Sequence, residues 1–266
     1  MTIHDNYKKM QYKDPSALKN KHKNGDILII GTGMSTNGFK KYKEKINDKF
    51  DAVIGVNFCI LNFEDVLTYH IIIEKNSVAL YNYMKKNIQI CRKNVPRIIN
   101  YKGIHRYPKE LNLMKTTRTN FNGKINIRNY VNNDCNGFLS GPLNKQNLSV
   151  GSVALQAIHF AAILGALNVY LIGVDLVLDK KFDHYYQDRR YRNNTKKGPA
   201  DSPIIKIKHN NVNRETLEYF RDSADYINFV IENLCRPFGI EVYNFSNDSL
   251  VSAAKKLNAG EFFKTL

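Results

Sequence analysis

The sequence contains no CxxC pair, no DxD pair, no HExxH, no GxSxG and no unbroken apolar segment of membrane-spanning length. Its four cysteines, Cys59, Cys91, Cys135 and Cys235, stand far apart, which indicates neither a zinc site nor a disulfide framework and fits a reducing compartment. The missing DxD argues against metal-assisted nucleotide-diphosphate chemistry, and the missing GxSxG against serine hydrolysis. No apolar run approaches the roughly 20 residues that cross a bilayer. The opening MTIHDNYKKMQYK lacks the apolar core of a signal peptide. A cytoplasmic protein is therefore expected, with a peripheral place at the inner membrane face left open by its charge.

Acidic residues are also scarce: 24 Asp and Glu face 40 Lys and Arg, a net charge of +16. Such a surface suits nucleic acid, anionic lipid headgroups or a phosphorylated substrate, and part of it serves simply as solvated surface. With no helix-turn-helix, finger, RRM or KH signature, specific nucleic-acid binding is not expected. The basic, polar stretches are residues 8–23 and 180–208.

What is present is alternation. Short apolar strands are expected at residues 27–30, 52–56, 69–73, 169–172 and 240–243, separated by stretches long enough for helical crossovers. Helices are expected at 77–86 and 150–164. A third is expected at 213–234, where Leu217, Phe220, Ala224, Ile227, Ile231 and Leu234 repeat at helical spacing behind Asn213 as N-cap. This pattern specifies an α/β, Rossmann-like, mostly parallel sheet with helices on both faces. The 266 residues divide into a polar basic arm, 1–24, and a single Rossmann-like domain, 25–266, with a lid-like insertion at 179–211.

Two turns carry the candidate site. GDILIIGTGMS is an apolar strand followed at once by Gly31, Thr32, Gly33 and Ser35, and VYLIGVDL is a strand ending in Gly173 and Asp175. In open α/β sheets the ligand crevice lies beyond the carboxyl ends of the strands, so two such turns imply one nucleotide-type ligand held between two parts of a sheet. The first turn lacks the third glycine of a dinucleotide fingerprint and the lysine of a P-loop. It serves either close backbone approach to a ligand phosphate or ribose, with Ser35 capping the next helix, or a plain tight βα connection. Asn57 follows the second strand and can hydrogen-bond a base or sugar. Ser149, Gly151 and Ser152 open the central helix, whose free N–H groups hold a phosphate or carboxylate, unless Ser149 only caps it. His159, inside AIHFAAIL, reads as a core histidine.

The segment FDHYYQDRRYR follows Asp175 and gathers His184, Tyr185, Tyr186 and three arginines, groups that neutralise a departing phosphate or transfer a proton. His209 lies where a loop end can aim it into the crevice.

The motifs ILIIGTGMS, FDAVIGVNFCI, SVGSVALQAIHFAAILGALNVYLIGVDL and GIEVYNFSNDSLV, in this order, resemble the bacterial sialyltransferases of glycosyltransferase family 42. They equally resemble the broader MptE-like and motility-accessory-factor family. The resemblance implies a cytidine monophosphate sugar lying over Thr32, Gly33 and Ser35. It also implies a nucleotide- or sugar-contacting Asn57 and a turn at 149–152 that meets the donor phosphate or sugar carboxylate. His209, before NNVNRETLEYF, takes the place of the general base, and Tyr185 or Tyr186 that of a phosphate-stabilising tyrosine. Thr32 and Met34 depart from the family's GNGPS turn, and Val177 stands where a first tyrosine is expected.

The expected activity is a metal-independent transfer of a sialic-acid-like sugar to a surface-glycan acceptor in lipopolysaccharide biosynthesis, with no cofactor beyond the donor. A homo-oligomer is compatible with it. One alternative is an MptE-like pterin diphosphokinase using ATP and magnesium held by Asp175 and Asp179. Another is a non-catalytic module binding nucleotide or anionic lipid.

Overall fold

ILII, AVIGV and NVYLI are apolar at nearly every position, as strands must be when both faces of a sheet are covered. In the computed structural model, which describes residues 18–72, 78–100, 110–116, 152–177, 204–209 and 212–264, these segments are the centre of one sheet. The sheet strands are β1 (Gly25–Ile30), β2 (Ala52–Val56), β3 (Tyr69–Ile72), β4 (Arg97–Asn100), β5 (Leu113–Thr116), β6 (Ala166–Ile172), β9 (Glu241–Asn244) and β10 (Lys255–Lys256). A separate antiparallel hairpin joins β7 (Ile204–His209) to β8 (Val212–Leu217). The order in the sheet is β10-β9-β6-β1-β2-β3-β4-β5, and every pairing is parallel. This is the expected α/β, Rossmann-like architecture.

Chain order runs outward from β1 to β5 on one side and from β6 to β10 on the other, so the direction of winding reverses between β1 and β6. Ile30 pairs with Gly55 on β2 and with Ile172 on β6, which brings the turns after β1 and β6 side by side at the carboxyl edge. In β1, Ile27 and Ile29 face one core and Leu28 and Ile30 the other. The first core is filled by α2 (Val153–Leu164), buried along its whole length from Ala154 to Leu164. Also on that face is α3 (Glu218–Val230), through Ile227 and Val230. On the opposite face Phe39, Phe50, Phe63, Tyr170, Phe245 and Phe263 pack together, beside Leu80 and Met84 of α1 (Val78–Lys86).

Two expectations change. Residues 213–217 belong to β8, and the helix begins only at Glu218, behind Leu217 in an extended conformation. Phe220, Ala224, Ile227, Ile231 and Leu234 are buried as their spacing predicted, but backbone pairing from Ile204–Leu217 to His209–Val212 takes the segment before them. Strands β4 and β5, each only four residues long, arise where no strand was expected. The domain's own contacts also begin ahead of Gly25. Leu18 is buried, and the backbone N–H groups of Asn20, His22 and Asn24 donate to the carbonyls of Ile163, Leu164 and Gly165 at the end of α2. Among the described residues no helix is long and apolar enough to cross a membrane.

Candidate functional site

The turns after β1 and β6 are built into each other. Gly31 N donates to Ile172 O at 2.7 Å and Gly33 N to Gly173 O at 2.8 Å. The Asp175 carboxylate, 5% exposed, then receives Ser35 N at 2.8 Å on Oδ2 and the Ser35 hydroxyl at 2.6 Å on Oδ1. Gly173 N closes the loop by donating to Ser35 Oγ at 3.0 Å. A Cβ on Gly33 would lie 2.5 Å from Asp175 Oδ2, and one on Gly31 would collide with Gly173 O. The glycines thus serve the approach of one turn to the other. The N–H groups of Gly31, Gly33 and Ser35 are all used inside the protein, and Ser35 bonds Asp175 where a helix cap was expected.

The segment after Gly173 is pinned from two further directions. Ser249 Oγ donates to Val174 O at 2.6 Å, and Leu250 N to Asp175 O at 3.0 Å. Thr216, fully buried on β8, donates to Leu176 O at 2.7 Å. Leu176 itself has φ 57°, a conformation that a branched side chain holds only when its surroundings impose it. Val177, Ala224 and Leu250 pack against Leu176 and Ile207, seating the hairpin on this segment. Lys256 Nζ donates to the carbonyls of Ser246, Ser249 and Val251 at 3.0, 3.3 and 3.4 Å, which fixes the loop that reaches Val174.

Asn57 stands at the carboxyl end of β2, half-buried, in the left-handed region at φ 45°. Its carbonyl receives His70 Nε2 at 2.7 Å. The His70 Nδ1 atom lies 2.9 Å from Arg97 Nη1, and Arg97 in turn is paired with Glu64 and donates to Arg92 O at 3.2 Å. A carbonyl carries no proton, so Nε2 must be the donor and Nδ1 the acceptor, which sets one neutral tautomer. Burial, followed by the Arg97 charge, holds the His70 pKa well below its ordinary 6.5. His70 and Arg97 are register partners on β3 and β4, next to Gly55 on β2. A Cβ on Gly55 would strike the Cys59 thiol, whose own pKa burial pushes far up, so Cys59 is an inert neighbour.

The amino terminus of α2 comes to the same edge, because the helix crosses back from β5 to β6. Ser152, half-exposed, is its N-cap and makes no side-chain cap bond. His159 is wholly buried within that helix, as read. His209 ends β7 opposite Val212, about 13 Å along the strand from Ile205, the partner of Thr216. Ser149, Gly151, His184, Tyr185, Tyr186 and Asp179 lie outside the described residues, as does most of the expected lid. Among the described residues no three His, Cys, Asp or Glu side chains gather as metal ligands.

Sequence reasoning missed the residues that hold the site. His70 and Arg97 are polar positions against the isoleucine pairs of YHII and RIIN, the signal available for a buried polar group in a short apolar strand. Thr216 and Ser249 carried no signal. A cleft of about 650 Å³ lies at the opposite edge, at the amino ends of β2 to β5, lined in part by Lys21, Asp51, Tyr69, Arg92, Asn94 and Asn112.

The whole arrangement is similar to a solved structure, the MAf glycosyltransferase from Magnetospirillum magneticum AMB-1. The TM-score is 0.61 and the identity 14%, over 95% of this chain and 38% of that one. This chain therefore spans well under half of that protein, and the likeness is one of fold. A second similar structure is the sialyltransferase CstII from Campylobacter jejuni in complex with a substrate analogue, cytidine-5'-monophosphate. Its TM-score is 0.46 at 14% identity, over 88% of this chain and 85% of that one. No protein-family model matches the sequence, and no curated protein matches it.

Two outcomes are expected from this geometry. Gly33→Ala pushes a methyl into Asp175, and Asp175→Asn turns an acceptor toward Ser35 into a donor; each should cost about 1–3 kcal/mol in urea unfolding. The double variant should lose less than the sum, since both break one clasp. Fully additive losses would mean that the two residues act separately. Second, a histidine buried neutral stabilises the fold above its unfolded pKa, and that stability is lost as pH falls below about 6.5 toward its depressed folded value. His70→Gln should remove this component, flattening the fall of unfolding free energy between pH 6.5 and 5 relative to the unmodified protein.

Proposed function

We propose that this chain is a glycosyltransferase that moves a sialic-acid-like sugar from a cytidine monophosphate donor to a surface-glycan acceptor without a divalent metal. The observation that carries the reading is the switch point between β1 and β6, where the strand order reverses. Ligands of doubly wound sheets enter at such a point. At the same edge the chain presents Asn57, in a constrained conformation at the end of β2, and the amino terminus of a twelve-residue buried helix. A donor of this class offers a base and ribose for the carboxamide of Asn57. Its phosphate and sugar carboxylate are anions of the kind that a helix terminus favours. The fold shared with a MAf glycosyltransferase supports the reaction class.

In this reading the donor phosphate lies toward Ser149, Gly151 and Ser152, and Thr32 lines the nucleotide end. Transfer needs a base to take the acceptor hydroxyl proton as the sugar C–O bond to phosphate breaks and the new glycosidic bond forms. His209 takes that proton. Tyr185 or Tyr186 hydrogen-bonds the departing phosphate, and His184 contacts the donor. Asp175 spends both carboxylate oxygens on Ser35, and its task is to shape the crevice.

Cytidine monophosphate should raise the melting temperature more than uridine diphosphate or ATP, because a ligand bound to the folded state alone stabilises it. Turnover of a cytidine monophosphate sugar should survive EDTA. A strict magnesium requirement with ATP consumed would move the chain to the diphosphokinase class. His209→Ala should cut turnover by about 10²- to 10⁴-fold with donor affinity nearly intact, whereas His184→Ala should chiefly raise the Michaelis constant for donor. The opposite pattern would exchange their roles.

A further inference from the structure

Asn57 is tied to a chain of groups that a surface turn does not need. Its carbonyl takes a bond from His70, His70 takes one from Arg97, and Arg97 is wholly buried against Glu64. Glu64 is itself fixed, accepting Arg92 N at 2.7 Å, while Arg92 Nη1 donates to the carbonyls of Asp65 and Leu67. Burying a guanidinium and a carboxylate is a poor way to gain stability, since apolar residues of similar volume do as well. The arrangement has to be explained by the geometry it enforces. Asn20 and Asn24 adopt the same left-handed conformation on the exposed turn ahead of β1, so asparagine reaches it without buried charge beside it. At Asn57 the conformation is over-determined.

We propose that Glu64, Arg97 and His70 are positioning residues that hold Asn57 at the angle from which its side chain meets the donor nucleotide. The chain works by direction. Glu64 orients the planar guanidinium, whose second amino group donates to His70 Nδ1, which leaves the ring proton on Nε2, where it holds the Asn57 carbonyl. With that carbonyl fixed, the peptide after β2 cannot rotate, and the carboxamide of Asn57 leaves the backbone in one direction. None of the three groups touches the donor. The inference rests on the cytidine-donor reading above.

The test is a double-mutant cycle on the full chain, reading cytidine monophosphate affinity by titration calorimetry alongside the melting temperature. Asn57→Ala and His70→Leu should each weaken binding by about tenfold, and His70→Leu should weaken it no further once Asn57 is alanine. His70→Gln, whose carboxamide can donate to Asn57 O and accept from Arg97, should recover most of the affinity. Where His70→Leu does not fold, Arg97→Lys, which keeps the charge against Glu64, should show the same loss. Additive effects in the cycle, or full affinity in Arg97→Lys, overturn the positioning role while leaving the donor reading intact. Nitrogen NMR of His70 supplies a readout independent of any donor: a proton on Nδ1 at neutral pH overturns the chain itself. If the unmodified protein binds no cytidine nucleotide, the donor reading fails and the positioning role falls with it.

Discussion

The bond pair between Asp175 and Ser35 is the constraint on which the carboxyl edge of this sheet depends. A carboxylate that is almost wholly buried is costly unless its oxygens are met, and here one backbone N–H and one hydroxyl meet them. Those two donors lie 140 positions away in the chain, so the clasp joins the first strand to the middle of the fold. Everything nearby is shaped to allow it. Gly31 and Gly33 admit Gly173 and Asp175 at distances that no side chain tolerates, and Gly173 turns the chain at φ 70°. The next residues inherit the direction so set, and Ser249, Leu250 and Thr216 fasten them to two further segments.

A second set of buried charges stands two strands away, and the two sets divide the edge between them. The clasp determines where the switch-point crevice opens. The Glu64, Arg97 and His70 network governs the end of β2, where Asn57 stands. Both sets are hydrogen-bonded inside the protein, with Arg97 Nε left without a partner, and in low dielectric breaking such a network is costly. The amino edge carries the open cleft, and there Asp26 N donates to Asp51 and Asn168 to Asp26.

The centre of the fold was legible because burial on both faces leaves little freedom of composition: ILII, AVIGV and NVYLI read as strands from their content alone, and α2 from an apolar run interrupted by Gln156 and His159. Strands β4 and β5 were not, since a four-residue strand near the edge needs only two or three apolar residues and RIIN and LMKT sit in polar surroundings. The start of α3 was misread because helical spacing continues back to Leu217, while the choice between helix and strand at 213–217 was made by the partner strand Ile204–His209, which no local pattern encodes. The site residues show the same division. Gly31, Gly33, Ser35, Gly173 and Asp175 were recognised as belonging together, but whether such residues face a ligand or each other is decided by the separation of two strand ends. That separation comes from the register of β1 against β6.

On the proposed reading, the internal pairing of these groups determines where attraction for an anionic donor would come from. Arg97 is spent on Glu64 and His70, and Asp175 gives both carboxylate oxygens to the neutral donors of Ser35, so none of them offers a free positive charge to the crevice. The amino terminus of α2 contributes a partial charge that acts only over its first turn. Long-range attraction must therefore come from the excess of 16 positive charges over the whole chain, concentrated in the sequence at residues 8–23 and 180–208. The rigid edge holds shape and supplies little field, while the basic segments supply field. On the proposed reading, a donor drawn by such a surface would be selected at short range, by the direction in which Asn57 and the helix terminus present their groups.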